Sequence, residues 1–317
     1  MKSSLERRNK ILTLMKENYL LANKVLPDGF KSKHWDVFDD EFVRFFETND
    51  VWERMLRNQL TLGLNDNFLR ISNKRFSGKS DDFWKQLRSG QIKDIISEDR
   101  DTKLIEQQIH HLRSIISNTD LNFVINNCIT NVGSPVITKI NINYKGQNHI
   151  LNYNMHDMGD LYHSWLILQQ LNKFKNSTPI ICEIGGGYGG LASKIKSNIK
   201  GAKIIMLDLP EVNAFQTFYL SEVFNGAIVK GYKDFIKEGL SVLENEFDFL
   251  ILPGWSIDKL PKRSVDAFIN VRSMMEMSKE NLEFYFKEIQ ASLKVEGTFA
   301  CFNRYLKPVG NFENRLD

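Results

Sequence analysis

Cysteine is scarce in this chain: Cys128, Cys182 and Cys301 are the three found in 317 residues, and no C-x-x-C pair is present to suggest zinc. Two of them lie inside apolar strand patterns, so they read as reduced core residues of a cytosolic protein rather than as a disulfide framework. The first ten residues lack the apolar stretch of a signal peptide, and no apolar run approaches the ~18 residues that span a bilayer. Internal repeats and low-complexity tracts are also missing. The net charge is only +3, and the Lys and Arg residues are scattered rather than blocked, which gives no footprint for nucleic acid. These absences lead to the expectation of a cytoplasmic protein with neither a nucleic-acid partner nor a membrane span. A homo-oligomer is admitted but not required.

What is present is a globular composition, 42% hydrophobic and 26% charged, over a length sufficient for one large or two ordinary domains. From residue 5 to about 117 the apolar residues recur at helical spacing, as in Phe38, Phe42, Phe45 and Phe46, then Trp52, Met55, Leu56 and Leu60. Between Gly133 and Tyr153 the period changes to that of a β-hairpin, with a short turn in Lys145-Gly-Gln-Asn. From about residue 158 helices and strands alternate, which argues a parallel sheet with right-handed crossovers. The expected organisation is an α-helical cap or substrate domain over 1–130, a hairpin connector over 131–155 and an α/β domain over 156–317. A turn at Glu296-Gly297 is expected to precede a strand over 298–302. Only fifteen residues follow Phe302, fewer than a seven-stranded sheet of this kind would use, so a C-terminally truncated chain is one expectation.

The strongest functional signal follows Pro179: Ile180-Ile-Cys-Glu-Ile-Gly-Gly-Gly-Tyr-Gly-Gly, an apolar strand that ends in an acidic residue and then glycines. Glycine alone makes such a strand-to-helix turn without steric cost, and the turn lets backbone approach a ligand. Gly185, Gly187 and Gly190 satisfy a dinucleotide spacing, which keeps an NAD(P)-dependent oxidoreductase open as an alternative. Glu183, Gly185, Gly187 and Gly189 form E-x-G-x-G-x-G, with a carboxylate two positions before the first glycine. A carboxylate there suits a positively charged amino group.

With Asp208 ending the next strand and Val265-Asp-Ala-Phe-Ile-Asn-Val further on, the chain resembles the class I S-adenosylmethionine-dependent methyltransferases. Within them it is most similar to the bacterial sugar O-methyltransferase family. The segments that carry the likeness are Gly133-Ser-Pro, Glu183-Ile-Gly-Gly-Gly-Tyr-Gly-Gly-Leu-Ala, Asp208-Leu-Pro-Glu, Leu252-Pro-Gly-Trp and Asn270-Val-Arg-Ser-Met-Met-Glu-Met, covering residues 130 to 307. The resemblance implies a Rossmann-like, mostly parallel α/β sheet with helices on both faces. It also implies S-adenosylmethionine as cofactor, a sugar, nucleotide-sugar or glycan acceptor, and a place in surface polysaccharide synthesis. Cofactor contacts are expected from Glu183, Gly185, Gly187, Tyr188, Gly189, Asp208, Leu209, Trp255, Ser256 and Asn270. A non-catalytic assembly protein on the same fold is the third alternative.

A sugar hydroxyl is a weak acid, so a general base or a metal ion is expected to assist its attack on the methyl carbon. Plant-type O-methyltransferases, which the Gly-Gly-Gly and Asp-Leu-Pro segments also resemble, place a His-Asp pair where this chain has Met275-Glu276. The polar cluster from Asn154 to His163 supplies the other candidates. His163 is the first choice for the base, with His156 and Asp157 behind it and Glu276 as a separate candidate. His156, Asp160 and His163 share one helical face, but no recognised metal motif accompanies them, so no metal site is assigned.

Overall fold

A computed structural model describes residues 2–31, 56, 121–128, 131–133, 135, 137–154 and 157–303. The aromatic-rich stretch holding Phe38, Phe42, Trp52 and Trp84 lies outside them, as does His156. The chain divides into two compact units, one of residues 1–37 with 167–317 and the other of residues 38–166.

In chain order the first elements are α1 (Lys2–Asn23), α2 (Leu121–Asn127), the antiparallel strands β1 (Ile137–Tyr144) and β2 (Gln147–Asn154), and α3 (Asp157–Gln170). Lys145 and Gly146 both take positive φ, 50° and 79°, and Tyr144 pairs with Gln147. This two-residue turn follows the right-handed strand twist and is tighter than the four-residue segment expected. The smaller unit has its own core of Leu121, Val124, Ile140, Leu151 and Leu161.

The larger unit continues with β3 (Ile180–Ile184), α4 (Gly190–Asn198), β4 (Lys203–Asp208), α5 (Pro210–Val223), β5 (Val229–Lys230), α6 (Tyr232–Glu238), α7 (Ser241–Glu244), β6 (Phe249–Pro253), β7 (Val265–Val271), α8 (Lys279–Ser292) and β8 (Leu293–Phe302). All six strands from β3 onward are parallel, in the order β5-β6-β4-β3-β7-β8. This is the parallel sheet that the β/α alternation predicts, in the Rossmann-like form that the resemblance implies.

Its strands are near-continuous apolar runs because both faces are covered. On one face Cys182, Ile184, Ile205, Leu207, Leu250, Leu252 and Phe268 pack with Tyr285 and Ile289 of α8 and with Val242 and Leu243. On the other, Ile181, Ile204, Met206, Phe249, Ile251 and Ile269 are buried, and α5 lies against β4 and β6.

One helix of the expected N-terminal domain groups with the sheet. α1 belongs with the sheet, not with a separate cap: it packs on α5 and buries Ile11, Met15, Tyr19 and Ala22. That cover explains why α5 is buried from Pro210 to Ser221, polar residues included. Asn18 of α1 accepts from the Lys233 backbone N–H at 2.8 Å and so satisfies a donor in the first turn of α6. A Cβ at Gly231 would stand 1.9 Å from the Asn18 amide nitrogen, which makes glycine a requirement of that contact. A helical period shows that a stripe must be buried but not which helix buries it.

A second difference lies at β8. The strand begins at Leu293 and runs through Glu296-Gly297, where a turn was expected. Its register against β7 shifts between Val265–Leu293 and Ala267–Thr298, so the extra residues are taken up as a bulge.

Candidate functional site

The chain runs from β3 outward to β4 on one side, then returns to lay β7 on the other. Where strand order reverses, the helices leaving adjacent strands part to opposite faces and a crevice opens at the carboxyl ends. The residues expected to bind a cofactor fall on this edge.

The turn after β3 has φ of +68°, +57° and +97° at Gly185, Gly187 and Gly189. The Gly185 N–H donates to the Leu207 carbonyl at 2.8 Å and the Gly189 N–H to the Gly186 carbonyl at 3.0 Å. A Cβ at Gly185 would lie 2.0 Å from Ser273 Oγ, so conformation and space both exclude a side chain there. Gly186 was not singled out in the sequence, yet its Cβ would lie 2.8 Å from Cδ of Glu183. The Glu183 carboxyl, 3% exposed, therefore sits directly beneath the turn. Tyr188 is buried edge-on against Tyr219, with ring centroids 4.8 Å apart.

Asp208 ends β4 half-buried. Its Oδ1 accepts from the Leu209 N–H at 2.8 Å, and Oδ2 accepts from Gln216 Nε2 at 2.9 Å. The same Nε2 donates to the Gly187 carbonyl at 2.9 Å, and Asn213 Nδ2 holds the Gln216 oxygen at 3.0 Å. Gln216 thus locks the glycine turn and the acidic strand end into one frame. Burial pushes the Asp208 carboxyl up to about 7, with Glu211 adding to the rise, against the lowering by the Leu209, Gly187 and Gln216 hydrogen bonds. Leu209 is half-buried and caps α5, which starts on Pro210. Gln216 and Asn213 were missed in the sequence; their signal was two amides three residues apart on a helix buried over most of its length.

Asn270, the penultimate residue of β7, has no exposed surface. Its Nδ2 donates to the Ile184 carbonyl at 2.8 Å and contacts Ser273 Oγ at 2.5 Å. Its Oδ1 accepts from the Met274 N–H at 3.3 Å and from Asn303 Nδ2 at 2.8 Å. These hydrogen bonds stitch β7 to β3 at the strand end where a contact with a methionine moiety is expected. Arg272 takes φ of +65° between Asn270 and Ser273, which folds the chain back so that Ser273 Oγ reaches the Ile184 carbonyl at 3.2 Å. Glu276 lies just beyond, half-buried in a single 3₁₀ turn, Met274–Glu276.

Trp255 and Ser256 follow β6 in the 3₁₀ segment Gly254–Lys259. Ser256 is 2% exposed, and Trp255 meets the Phe30 ring edge-on at 5.2 Å. The structure thus gathers Glu183, the glycine turn, Asp208, Leu209, Trp255, Ser256 and Asn270 along one sheet edge.

His163 and Asp157 are on α3 and belong to the smaller unit. His163 Nδ1 lies 2.7 Å from the Gly159 carbonyl, an acceptor, so this nitrogen is the donor, and Nε2 is the nitrogen that carries the lone pair whenever the ring is neutral. Among the described residues no group of three His, Cys, Asp or Glu is arranged to hold a metal.

No family model and no curated protein matches the chain. Solved structures that match include a protein from Methanococcus maripaludis described as an S-adenosyl-L-methionine-dependent methyltransferase, at 17% identity over 44% of this chain and 55% of that one, with a TM-score of 0.30. Geranyl diphosphate C-methyltransferase from Streptomyces coelicolor A3(2) matches at 15% identity over 47% and 45%, with a TM-score of 0.31. A mitomycin 7-O-methyltransferase matches at 12% identity over 94% and 67%, with a TM-score of 0.29. The chain spans about half the length of the first two. Likenesses at these TM-scores carry no functional argument, which rests instead on the site.

Proposed function

We propose that the chain is an S-adenosylmethionine-dependent O-methyltransferase acting on a hydroxyl of a sugar or sugar-linked molecule. The observation that carries the reading is the frame made by Gln216, which ties the glycine turn over the buried Glu183 to the carboxylate of Asp208. A carboxylate at a strand end accepts from both hydroxyls of a ribose. The negative charge of Glu183 beneath the turn favours a ligand with a cationic ammonium, which a dinucleotide lacks. When bound, the cofactor supplies a methyl group activated on a sulfonium.

The chain's own residues then have to align the acceptor and take its proton. Alignment alone contributes about 7 to 11 kcal/mol in well-positioned cases. His163 is the proposed base, because the Gly159 carbonyl holds its Nδ1 proton and directs basicity to Nε2. The choice of a sugar acceptor and of a role in polysaccharide synthesis rests on the sequence resemblance.

Isothermal titration of the full chain with S-adenosylhomocysteine tests the cofactor. Binding is expected, with sharp loss in Gly187→Val and Asp208→Ala; full retention in both variants sinks the site. Tight NAD binding with none of S-adenosylhomocysteine would transfer the reading to an oxidoreductase. His163→Ala is expected to keep cofactor affinity and lower turnover about a hundredfold or more on a responsive acceptor. Unchanged turnover removes it as the base.

A further inference from the structure

After α1 the chain turns at Pro27-Asp28-Gly29, where the Phe30 N–H donates to the Pro27 carbonyl at 3.1 Å and Gly29 takes φ of +72°. The turn delivers Phe30 and Lys31 to the carboxyl edge of the sheet. The Phe30 carbonyl accepts from Asn281 Nδ2 of α8 at 2.7 Å, and its ring lies 5.2 Å from Trp255 and 6.2 Å from Tyr285. A Cβ at Gly254 would come within 2.9 Å of that ring. One residue on, Lys31 Nζ pairs with Glu211 Oε1, their side chains 9% and 1% exposed.

Glu211 stands in the first turn of α5, three residues after Asp208. Its Oε2 is buried with no hydrogen-bond partner among the described residues. Glu211, buried, and Asp208, half-buried, stand three residues apart, and the negative charge of the first opposes ionisation of the second. Facing Asp208 are the Leu209 and Gly187 N–H groups, the Gln216 amide and Glu211 on α5, and the phenol of Tyr285 on α8, which burial keeps protonated. Among the described residues Glu211 is the acid that acts on Asp208, and Lys31 is the cation paired with it.

We propose that Lys31 is a positioning residue of the nucleoside site: by cancelling the Glu211 charge beside Asp208, it lets Asp208 meet a ligand diol as a carboxylate. This rests on the reading that Asp208 takes the ribose. A segment from the N-terminus, remote in sequence from the glycine turn, then sets the pH at which the site becomes competent.

The test is S-adenosylhomocysteine affinity by isothermal titration from pH 5.5 to 8.5, on the full chain and on Lys31→Met, Lys31→Arg, Glu211→Gln and the Lys31→Met/Glu211→Gln pair. Wild-type affinity should rise with pH. Lys31→Met should move that rise to higher pH, weakening binding at pH 7 about tenfold for each unit moved. Glu211→Gln should move it lower, Lys31→Arg should leave it in place, and the double variant should return it to or below the wild-type position. A loss in Lys31→Met that is the same at every pH, or no loss, overturns the proposal. Should Lys31→Met fail to fold, an unmoved rise in Glu211→Gln does so instead.

If the wild type binds no S-adenosylhomocysteine at any pH, the cofactor reading fails by itself. The charge coupling is then read in the ligand-free protein from thermal midpoint against pH. There Lys31→Met should shift the inflection in the wild-type background but not with Asp208→Asn, and a shift in both, or in neither, overturns it.

Discussion

At the carboxyl end of β3 the two neighbouring strands finish in different ways. On the β7 side, Asn270 and Ser273 both reach the Ile184 carbonyl, Asn303 and the Met274 N–H fill the remaining amide oxygen, and Ser273 occupies the space above Gly185. On the β4 side, Asp208 stays half-buried with a carboxylate that has lone pairs beyond the bonds from Leu209 and Gln216. One seam is closed by polar groups satisfied within the protein, and the other keeps an ionisable acceptor at the crevice. The first holds the strand ends in register, and the second is the one proposed to meet a ligand. A polar residue at a strand end is therefore not yet a ligand contact; its remaining hydrogen-bonding capacity decides.

The largest effect should come from breaking the closed seam at Gly185. Gly185→Val places a branched side chain at φ of +68° into Ser273, and should abolish S-adenosylhomocysteine binding and cost about 3 kcal/mol or more in urea unfolding. Adding Ser273→Gly to Gly185→Ala should restore part of the stability but not the strain of about 1 kcal/mol left by the left-handed backbone. No restoration would mean that the clash with Ser273 does not set the cost.

Asn270→Ala should lower unfolding free energy by about 1 to 3 kcal/mol, since it strands the Met274 N–H in a buried site and leaves the Ile184 carbonyl to Ser273 Oγ alone. Cofactor affinity should fall far less at a temperature where the variant is folded. A selective collapse of affinity with unchanged stability would make Asn270 a direct contact and erase the contrast between the seams.

Asp208→Asn probes the open seam. It should weaken S-adenosylhomocysteine binding about tenfold at pH 8 and less at pH 6, where the wild-type carboxyl, pushed up to about 7, is already largely protonated. Stability should move the opposite way. A carboxyl raised in the folded state keeps its proton while the unfolded chain loses it, so its contribution is full below about 4 and is lost as pH rises through about 7. The thermal midpoint of Asp208→Asn relative to wild type should therefore increase between pH 4 and pH 8, and a flat difference would contradict the raised carboxyl.

The smallest effect is expected from Gln216→Glu, which keeps the acceptor for Asn213 but loses the donor to Gly187 and Asp208 and sets another acid, beside Glu211, against Asp208. Affinity should drop severalfold while the fold persists, measured by the same titration. Loss of the fold would show Gln216 to be a core strut and not a link between turn and strand end.

Strand Val265–Val271 was legible to the residue, because an apolar run bounded by turn residues has one reading in a β/α alternation. The turn at Gly185 to Gly189 was equally legible, since few other sequences can occupy three left-handed positions in five residues. The partners of that turn were not. Ser273, Gln216, Asn213 and the Lys31–Glu211 pair act across separations that local periodicity does not encode, and Asn270 reads the same whether its amide faces a ligand or a carbonyl. The place of α1 was missed for a related reason, since an apolar stripe carries no address.

By itself, then, the amino-acid order determined the strands, the glycine turn and the carboxylates before and after it, because these follow from backbone sterics and from periodic burial along the chain. Tertiary structure decided which polar ends are consumed and which are left to bind, and that α1 and Lys31 belong to the sheet. A hydrogen bond or an ion pair exists only once two distant segments meet, and its strength depends on the water that their meeting removes.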